Sequence, residues 1–233
     1  SGSLTIPEGV TMIDDRAFYG CSGFDGTLSL PSTLTAIGGS VFTGCSGFTG
    51  SLTIPEGITT IGNGAFGCSG FDGTLSLPSK LKTIGERAFE GCSGFDGTLT
   101  LPSTLTTVGR QAFNGCSGFT GSLTIPAGVT TIEYYAFMGC IGFTGSLTIP
   151  AGVTSICDYA FYYCSGISKA LFLGNAPTSM GVSVFEGTAE GFTVSYRAGM
   201  RGFSIPTWLG YPCVERNEYS DYSYTYDGTS ITI

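Results

Sequence analysis

Apolar and hydroxyl residues alternate in short runs that recur along the chain, as in Ser3-Leu4-Thr5-Ile6-Pro7 and Thr27-Leu28-Ser29-Leu30-Pro31. Period-two alternation is the signature of a strand buried on one face, so Leu28 and Leu30 are expected inward and Thr27 and Ser29 outward. A second extended piece follows each run, as in Val129-Thr130-Thr131-Ile132, with Val129 and Ile132 as its expected buried ends. Then comes a stretch such as GNGAFGC (62–68), too short for a real helix. It is predicted to be a tight turn or a 3₁₀ segment that carries Ala65 and Phe66 into the core. Glycines on either side supply corner conformations that other residues resist.

These runs are periodic. Pro7, Pro31, Pro55, Pro78, Pro102, Pro126 and Pro150 form one series; Cys21, Cys45, Cys68, Cys92, Cys116, Cys140 and Cys164 form another. Both step by 24 residues with a single step of 23, and counting places the missing residue before Cys68. Seven units begin at Ser3, Thr27, Ser51, Thr74, Thr98, Ser122 and Ser146. A degenerate eighth begins near Ala170, keeps Val184-Phe185 in register and has Thr188 where cysteine is due. One such unit cannot bury its own Leu, Ile and Phe, but units stacked at about 4.8 Å per rung can. The expected architecture for residues 1–190 is therefore a mostly β solenoid of short parallel strands and tight turns.

The spacing Phe24…Leu28-Ser29-Leu30 followed by LTAIGGSVFTGC resembles the leucine-rich repeat of the BspA-like type, whose units close on an A-F-x-x-C element. The resemblance spans about residues 3–190 and recurs seven times, with one extra residue between Phe24 and Leu28 as a departure. It implies a right-handed, curved solenoid with a parallel sheet on the concave face. It also implies a bacterial surface protein that adheres to or binds host proteins. Residues 191–217, with FTVSYRAGMRGFSIPTWLGY at their heart, are similar to the family's C-terminal closing segment and are expected to cap the solenoid. In the tail, 218–233, Tyr222, Tyr224 and Tyr226 alternate with Ser and Thr before Asp227-Gly228, a hairpin or linker pattern.

Composition narrows the chemistry. The chain of 233 residues has no histidine, which removes His-based triads, His zinc sites and a His general base. Nine basic against 17 acidic residues give a net charge of −8, which repels nucleic acid and anionic membranes. At 42% hydrophobic residues the chain is too apolar to be disordered, yet no run approaches the roughly 20 needed for a membrane helix. No signal-peptide pattern is seen, and Ser1 begins almost in mid-motif, so a longer parent protein is expected.

Candidate chemistry thins out further on inspection. Nine cysteines contain no C-x-x-C pair, and equivalent side chains on parallel rungs do not converge as a disulfide requires. The column is expected to be small buried thiols, with Cys157, seven residues from Cys164, as the one candidate for a local bridge and Cys213 outside the column. Asp25, Asp72 and Asp96 share a column that is threonine elsewhere, and are expected to be solvated turn residues rather than a calcium site. No serine sits in a nucleophile elbow and no two carboxylates face each other, so no catalytic residue, metal or cofactor is assigned.

Two surfaces remain. Thr5, Ser29, Thr53, Ser76, Thr100, Thr124 and Thr148 form an outward hydroxyl column on the predicted concave sheet, beside a second column that begins Ser3, Thr27, Ser51. Such a lattice resembles those of ice-binding solenoids, although freely mixed serine favours the simpler reading of soluble strand residues. The other surface is where the units differ most, around the turn. There Tyr134, Tyr135, Met138, Tyr159, Tyr162 and Tyr163 gather in units six and seven, with Tyr135 and Tyr159 one rung apart. Tyrosine is enriched in binding hot spots; the competing expectation is that Trp208 and Tyr211 of the cap fold back over this patch. The resulting reading is a non-enzymatic, secreted or cell-surface bacterial module that binds a host extracellular protein or glycan, with no nucleic-acid partner and no membrane insertion. Sparse charge predicts an interaction little affected by salt. The alternative is a structural spacer or self-assembling scaffold that stacks through an open N-terminal coil; ice or mineral binding stands third.

Overall fold

The structure, a computed structural model, describes residues 2–216 and the backbone of 225–226 and 231–232. The chain winds as a parallel β-solenoid of about eight coils, and no helix occurs among the described residues. Each coil contributes to three sides. The first side carries the SLTIP-type strands, including Leu4–Thr5, Leu28–Ser29, Leu52–Thr53 and Leu75–Ser76, which pair leucine to leucine. Toward the C-terminus these become longer, at Gly121–Thr124, Phe143–Ile149 and Ile167–Phe172, within a six-stranded sheet. The second side is a ladder of two-residue strands, Met12–Ile13, Ala36–Ile37, Thr60–Ile61, Thr83–Ile84 and Thr107–Val108, continued by Thr131–Ile132, Ser155–Ile156 and Ser179–Met180. Alternation decides which residues face in: Leu28, Val129 and Ile132 are buried, while Ser29 is exposed. Leu30 is half-buried against the core.

The third side shows why the AF stretch is neither helix nor strand. Its N–H groups point alternately within the turn and across to the next coil. Ala65 and Gly67 donate three residues back, to Gly62 and Gly64, whereas Phe66 and Cys68 donate to the carbonyls of Ala88 and Glu90. Half the donors a helix needs are thus spent between coils. The geometry holds two residues per turn at positive φ, four apart: the first runs from Arg16 at 60° through Gln111 at 56° to Tyr159 at 59°, and the second is glycine in most coils, as Gly20 at 70° and Gly115 at 74°.

Inside lie two phenylalanine ladders. Phe18, Phe42, Phe66, Phe89, Phe113, Phe137, Phe161 and Phe185 stack with centroids between 5.3 Å and 5.8 Å. Phe24, Phe48, Phe71, Phe95, Phe119 and Phe143 form the second, and within a coil the two rings meet edge to face, as Phe89 and Phe95 do at 6.2 Å. A glycine precedes each ring of the second ladder by one residue, because a Cβ at Gly47, Gly118 or Gly142 would overlap the preceding coil's Phe carbonyl.

The cysteine column needs one correction. Cys45, Cys92, Cys116, Cys140 and Cys164 are buried, and each thiol donates to a Phe carbonyl of the preceding coil, as Cys116 Sγ does to Phe89 O at 3.1 Å. Cys68 is not in this column. Ser69 occupies the buried slot, with its Oγ donating to Phe66 O at 2.5 Å and lying 3.5 Å from Cys92 Sγ. Cys68 is exposed at φ 52°, in the slot held by Gly44 and Gly91 in adjacent coils. The residue missing from coil three therefore lies after Ser69, not before Cys68. Counting cysteines hid this because a Cys-Ser pair follows either alignment. All nine cysteines are free, so Cys157 forms no bridge to Cys164.

At the C-terminus, Thr193–Arg197 and Tyr211–Arg216 add two more parallel strands to the first-side sheet. Thr207–Trp208 folds antiparallel onto Tyr211–Pro212 and closes it. Trp208 packs on Phe172 and Phe203, and Tyr211 on Phe185 and Phe192, all ends of the core. Thr225–Tyr226 and Ile231–Thr232 pair antiparallel on either side of Asp227-Gly228; Tyr222 and Tyr224 lie outside the described residues.

Candidate ligand-binding surfaces

Three columns of side chains leave the turn side, one at the positive-φ position, one three residues later and one a residue beyond that. The first reads Arg16, Ser40, Gly64, Arg87, Gln111, Tyr135, Tyr159 and Ser183. In coils six and seven the columns become aromatic. Tyr135 stacks on Tyr159 with centroids 5.2 Å apart and planes within 5°. Tyr162 meets Tyr159 edge-on at 5.2 Å, and Tyr163 meets Tyr162 at 4.4 Å. Arg110 places its guanidinium 6.0 Å over the outer face of Tyr135. The expected one-rung spacing is thus realised as a continuous aromatic surface: Tyr134 and Tyr163 remain 44% and 55% exposed, and Tyr135, Met138, Tyr159 and Tyr162 are half-buried.

The cap does not cover it, which corrects the expectation that Trp208 and Tyr211 fold back here. Those rings pack instead on the C-terminal end of the phenylalanine core, where Trp208 is buried against Phe172 and Tyr211 meets Phe192. A hydrogen bond with Tyr163, partial burial and the nearby Glu186 carboxylate hold the Tyr162 phenol above its usual range.

The sheet face looks different. Thr5, Ser29, Thr53, Ser76, Thr100 and Thr124 are exposed and Thr148 is half-buried. Shallow grooves of about 540, 450 and 470 Å³ follow one another along it. Much of the neighbouring hydroxyl column is engaged: Ser3 Oγ accepts from Thr27 N at 3.0 Å, Ser51 Oγ from Thr74 N at 3.0 Å, and Ser122 Oγ from Ser146 N at 3.4 Å. A two-column lattice is thereby reduced to one free column. Sequence reasoning missed a third feature, a notch of about 480 Å³ where coil three has Gly64 and Gly67 in the first two of these columns. Arg16, Tyr19, Arg87 and Glu90 wall it and Cys68 lies on its floor. The paired glycines were the signal available.

The buried thiols are pushed up, to about 11 at Cys92 and about 12 at Cys164, by burial. Asp25 accepts from the backbone N–H of Gly2, and Asp72 from that of Gly50 at 2.5 Å, so these carboxylates act as ties between coils. Among the described residues no group of three His, Cys, Asp or Glu could hold a metal ion, and no helix is long and apolar enough to cross a membrane.

The model of the BspA type leucine-rich repeat region matches residues 2–120 and 95–199, in six copies. The chain belongs to the BspA-type leucine-rich repeat family. A leucine-rich repeat protein from Bacteroides ovatus shares 22% identity and superposes with a TM-score of 0.64. That match covers 94% of this chain and 63% of the other, so the BspA-type chain described here spans less than two thirds of that protein. A leucine-rich repeat protein from T. pallidum shares 26% identity with a TM-score of 0.54, over 79% of this chain and 75% of that one. No curated protein sequence matches it. BspA-type membership makes the chain a repeat module of the protein-binding or surface kind.

Proposed function

We propose that this chain is a non-enzymatic binding module displayed at a bacterial cell surface, adhering to a host extracellular protein or glycan through the tyrosine edge of coils six and seven. The observation that carries this reading is Tyr163. It stands at φ 55° in a slot that is glycine in six other coils, Gly20, Gly44, Gly91, Gly115, Gly139 and Gly187, and the small Cys68 in coil three, and keeps a 55% exposed ring there. A left-handed conformation costs an L-residue about 1–2 kcal/mol, and the ring sits outside the buried core, edge-on to Tyr162. Strain kept without a folding benefit is a mark of a working surface. Family membership supports the repeat-module part of the reading and the absence of histidine supports the non-enzymatic part.

The test is a screen of immobilised host matrix proteins and glycans, comparing wild type with Tyr135→Ser/Tyr159→Ser and recording melting curves of both. The expected result is binding by the wild type that is lost in the variant while the melt stays put. A wild type that binds nothing, or a variant that binds equally well, overturns the reading. A self-stacking scaffold is the second reading, favoured by coils that pair edge to edge through parallel ladders along the solenoid. Mass that rises with concentration supports it, and a constant monomer mass removes it.

A further inference from the structure

Charge is thin along this chain but unevenly spread. From residue 111 to residue 190 there are four carboxylates, Glu133, Asp158, Glu186 and Glu190, against the single cation Lys169. Three of the four belong to the tyrosine edge. Glu133 precedes Tyr134, Asp158 precedes Tyr159, and the Glu186 backbone carbonyl accepts from Tyr163 N at 2.8 Å. Their own partners are neutral: Asp158 Oδ1 accepts from Val182 N at 2.9 Å and Glu186 Oε2 from Ser183 Oγ at 2.5 Å. Among the described residues no cation lies within ion-pair distance of Glu133, Asp158 or Glu186, the nearest pairs on this side being those of Arg87 with Glu86 and Glu90 in coil four. These three charges therefore stand uncompensated, and their field reaches the neighbours: after burial, Glu133 and Asp158 raise the Cys157 thiol, and Glu186 adds to the upward shift of Tyr211.

The aromatic row already accepts one cation. Arg110 covers the outer face of Tyr135, at the N-terminal end of the stack. At the other end, Tyr162 and Tyr163 sit beside Glu186 with no cation among the described residues stacked over them, and Tyr163 is the most exposed ring of the group. A planar guanidinium suits this arrangement because it stacks on an aromatic face while its N–H groups reach carboxylates.

We propose that the tyrosine edge docks a cationic segment of a partner protein, with arginine or lysine side chains entering at Tyr162 and Tyr163 and pairing with Glu186, Asp158 and Glu133. This rests on the binding-module reading and names the class of partner. It also replaces the expectation of salt-insensitive binding, which took the mean charge of the chain for its local value.

The test uses the described chain and three probe peptides of equal length, an Arg-Gly-Ser repeat, a Glu-Gly-Ser repeat and a Ser-Gly repeat, read by biolayer interferometry. The arginine peptide is expected to bind and the other two not. Glu133→Gln/Asp158→Asn/Glu186→Gln, which preserves shape and acceptor oxygens, is expected to weaken it about tenfold, and Tyr162→Ser/Tyr163→Gly by a similar factor. Binding is also expected to weaken as ionic strength rises past about 0.15 M, where screening acts within roughly 8 Å. Glu86→Gln/Glu90→Gln, on the same side in coil four, should leave binding unchanged. Equal binding of the arginine and glutamate peptides overturns the proposal, as does full binding by the charge-neutral variant with an unaltered melt. If a host protein or glycan is lost on Tyr135→Ser/Tyr159→Ser while the arginine peptide ignores every edge variant, the cationic partner falls and the binding module stands. If no ligand of either kind responds to the tyrosines, both fall.

Discussion

At the scale of single residues, a thiol's environment depends on one register position. Buried cysteines donate to a carbonyl of the coil before them, and burial holds their protons on, to about 11 at Cys45 and Cys92. In the unfolded chain the same thiols ionise near 8.5. The folded value is the raised one, so their contribution is complete below about 8.5 and is lost as pH climbs through about 11. Melting temperature is expected to fall over that alkaline window, and Cys92→Ser/Cys116→Ser, which follows the natural precedent of Ser69, should flatten the fall. Cys68 contrasts with all of these. At neutral pH, iodoacetamide followed by mass spectrometry should label exposed Cys68 well before Cys116, Cys140 or Cys164; simultaneous labelling would mean the coil-three register is misplaced. The sequence misled here for a simple reason. Cys68 and Ser69 are both small and both plausible in the slot, and only the contact with the neighbouring coil separates them.

The coil as an element was largely legible. Alternation identified the first-side strands and their inward leucines, and Val129 and Ile132 marked the second side, because burial on one face writes a period of two into the residues. The AF turn was less so. Its donors alternate between its own backbone and the next coil, and no single unit reveals the second partner. The glycine column is the most demanding element feature. Gly118→Ala is expected to cost about 3 kcal/mol or more, because the methyl group would enter the Phe95 carbonyl. Gly115→Ala should cost only about 1–2 kcal/mol, since φ 74° is strained for alanine but the nearest atom outside its chain neighbours, Gly91 Cα, is 3.7 Å away. Urea midpoints of the two variants check the ordering. The tyrosine edge was legible as a cluster but not as a free surface, since its exposure depends on where Trp208 and Tyr211 go.

Across the whole molecule, coils touch mainly their immediate neighbours, so stability is a sum of nearest-neighbour terms with two different ends. The C-terminal end is closed by Phe203, Trp208 and Tyr211 against the last core rings. In the first coil Phe18, Cys21 and Phe24 are half-buried, and Met12 and Tyr19 are 57% and 59% exposed. Hydrogen exchange is expected to be fastest for amides of residues 3–24 and slowest in the middle coils, about residues 81–164. Uniform protection along the chain would show that the first coil is covered, as the self-stacking scaffold requires. The tyrosine edge falls on coils six and seven, whose core rings Phe137 and Phe161 are fully buried, so a bound partner meets a surface that is already formed.

Coil three has one residue fewer than its neighbours, yet Phe66 and Phe71 stay in both ring ladders, at 5.4 Å from Phe42 and Phe48. The omission is absorbed at the corner after Ser69, where no side chain of the core is set. What the fold measures out is therefore the distance between rings, and the number of residues strung between them is free to vary at that corner. Editing the chain there, by inserting a tag or excising a residue, should be forgiven in the way that a change of punctuation leaves the words of a line intact.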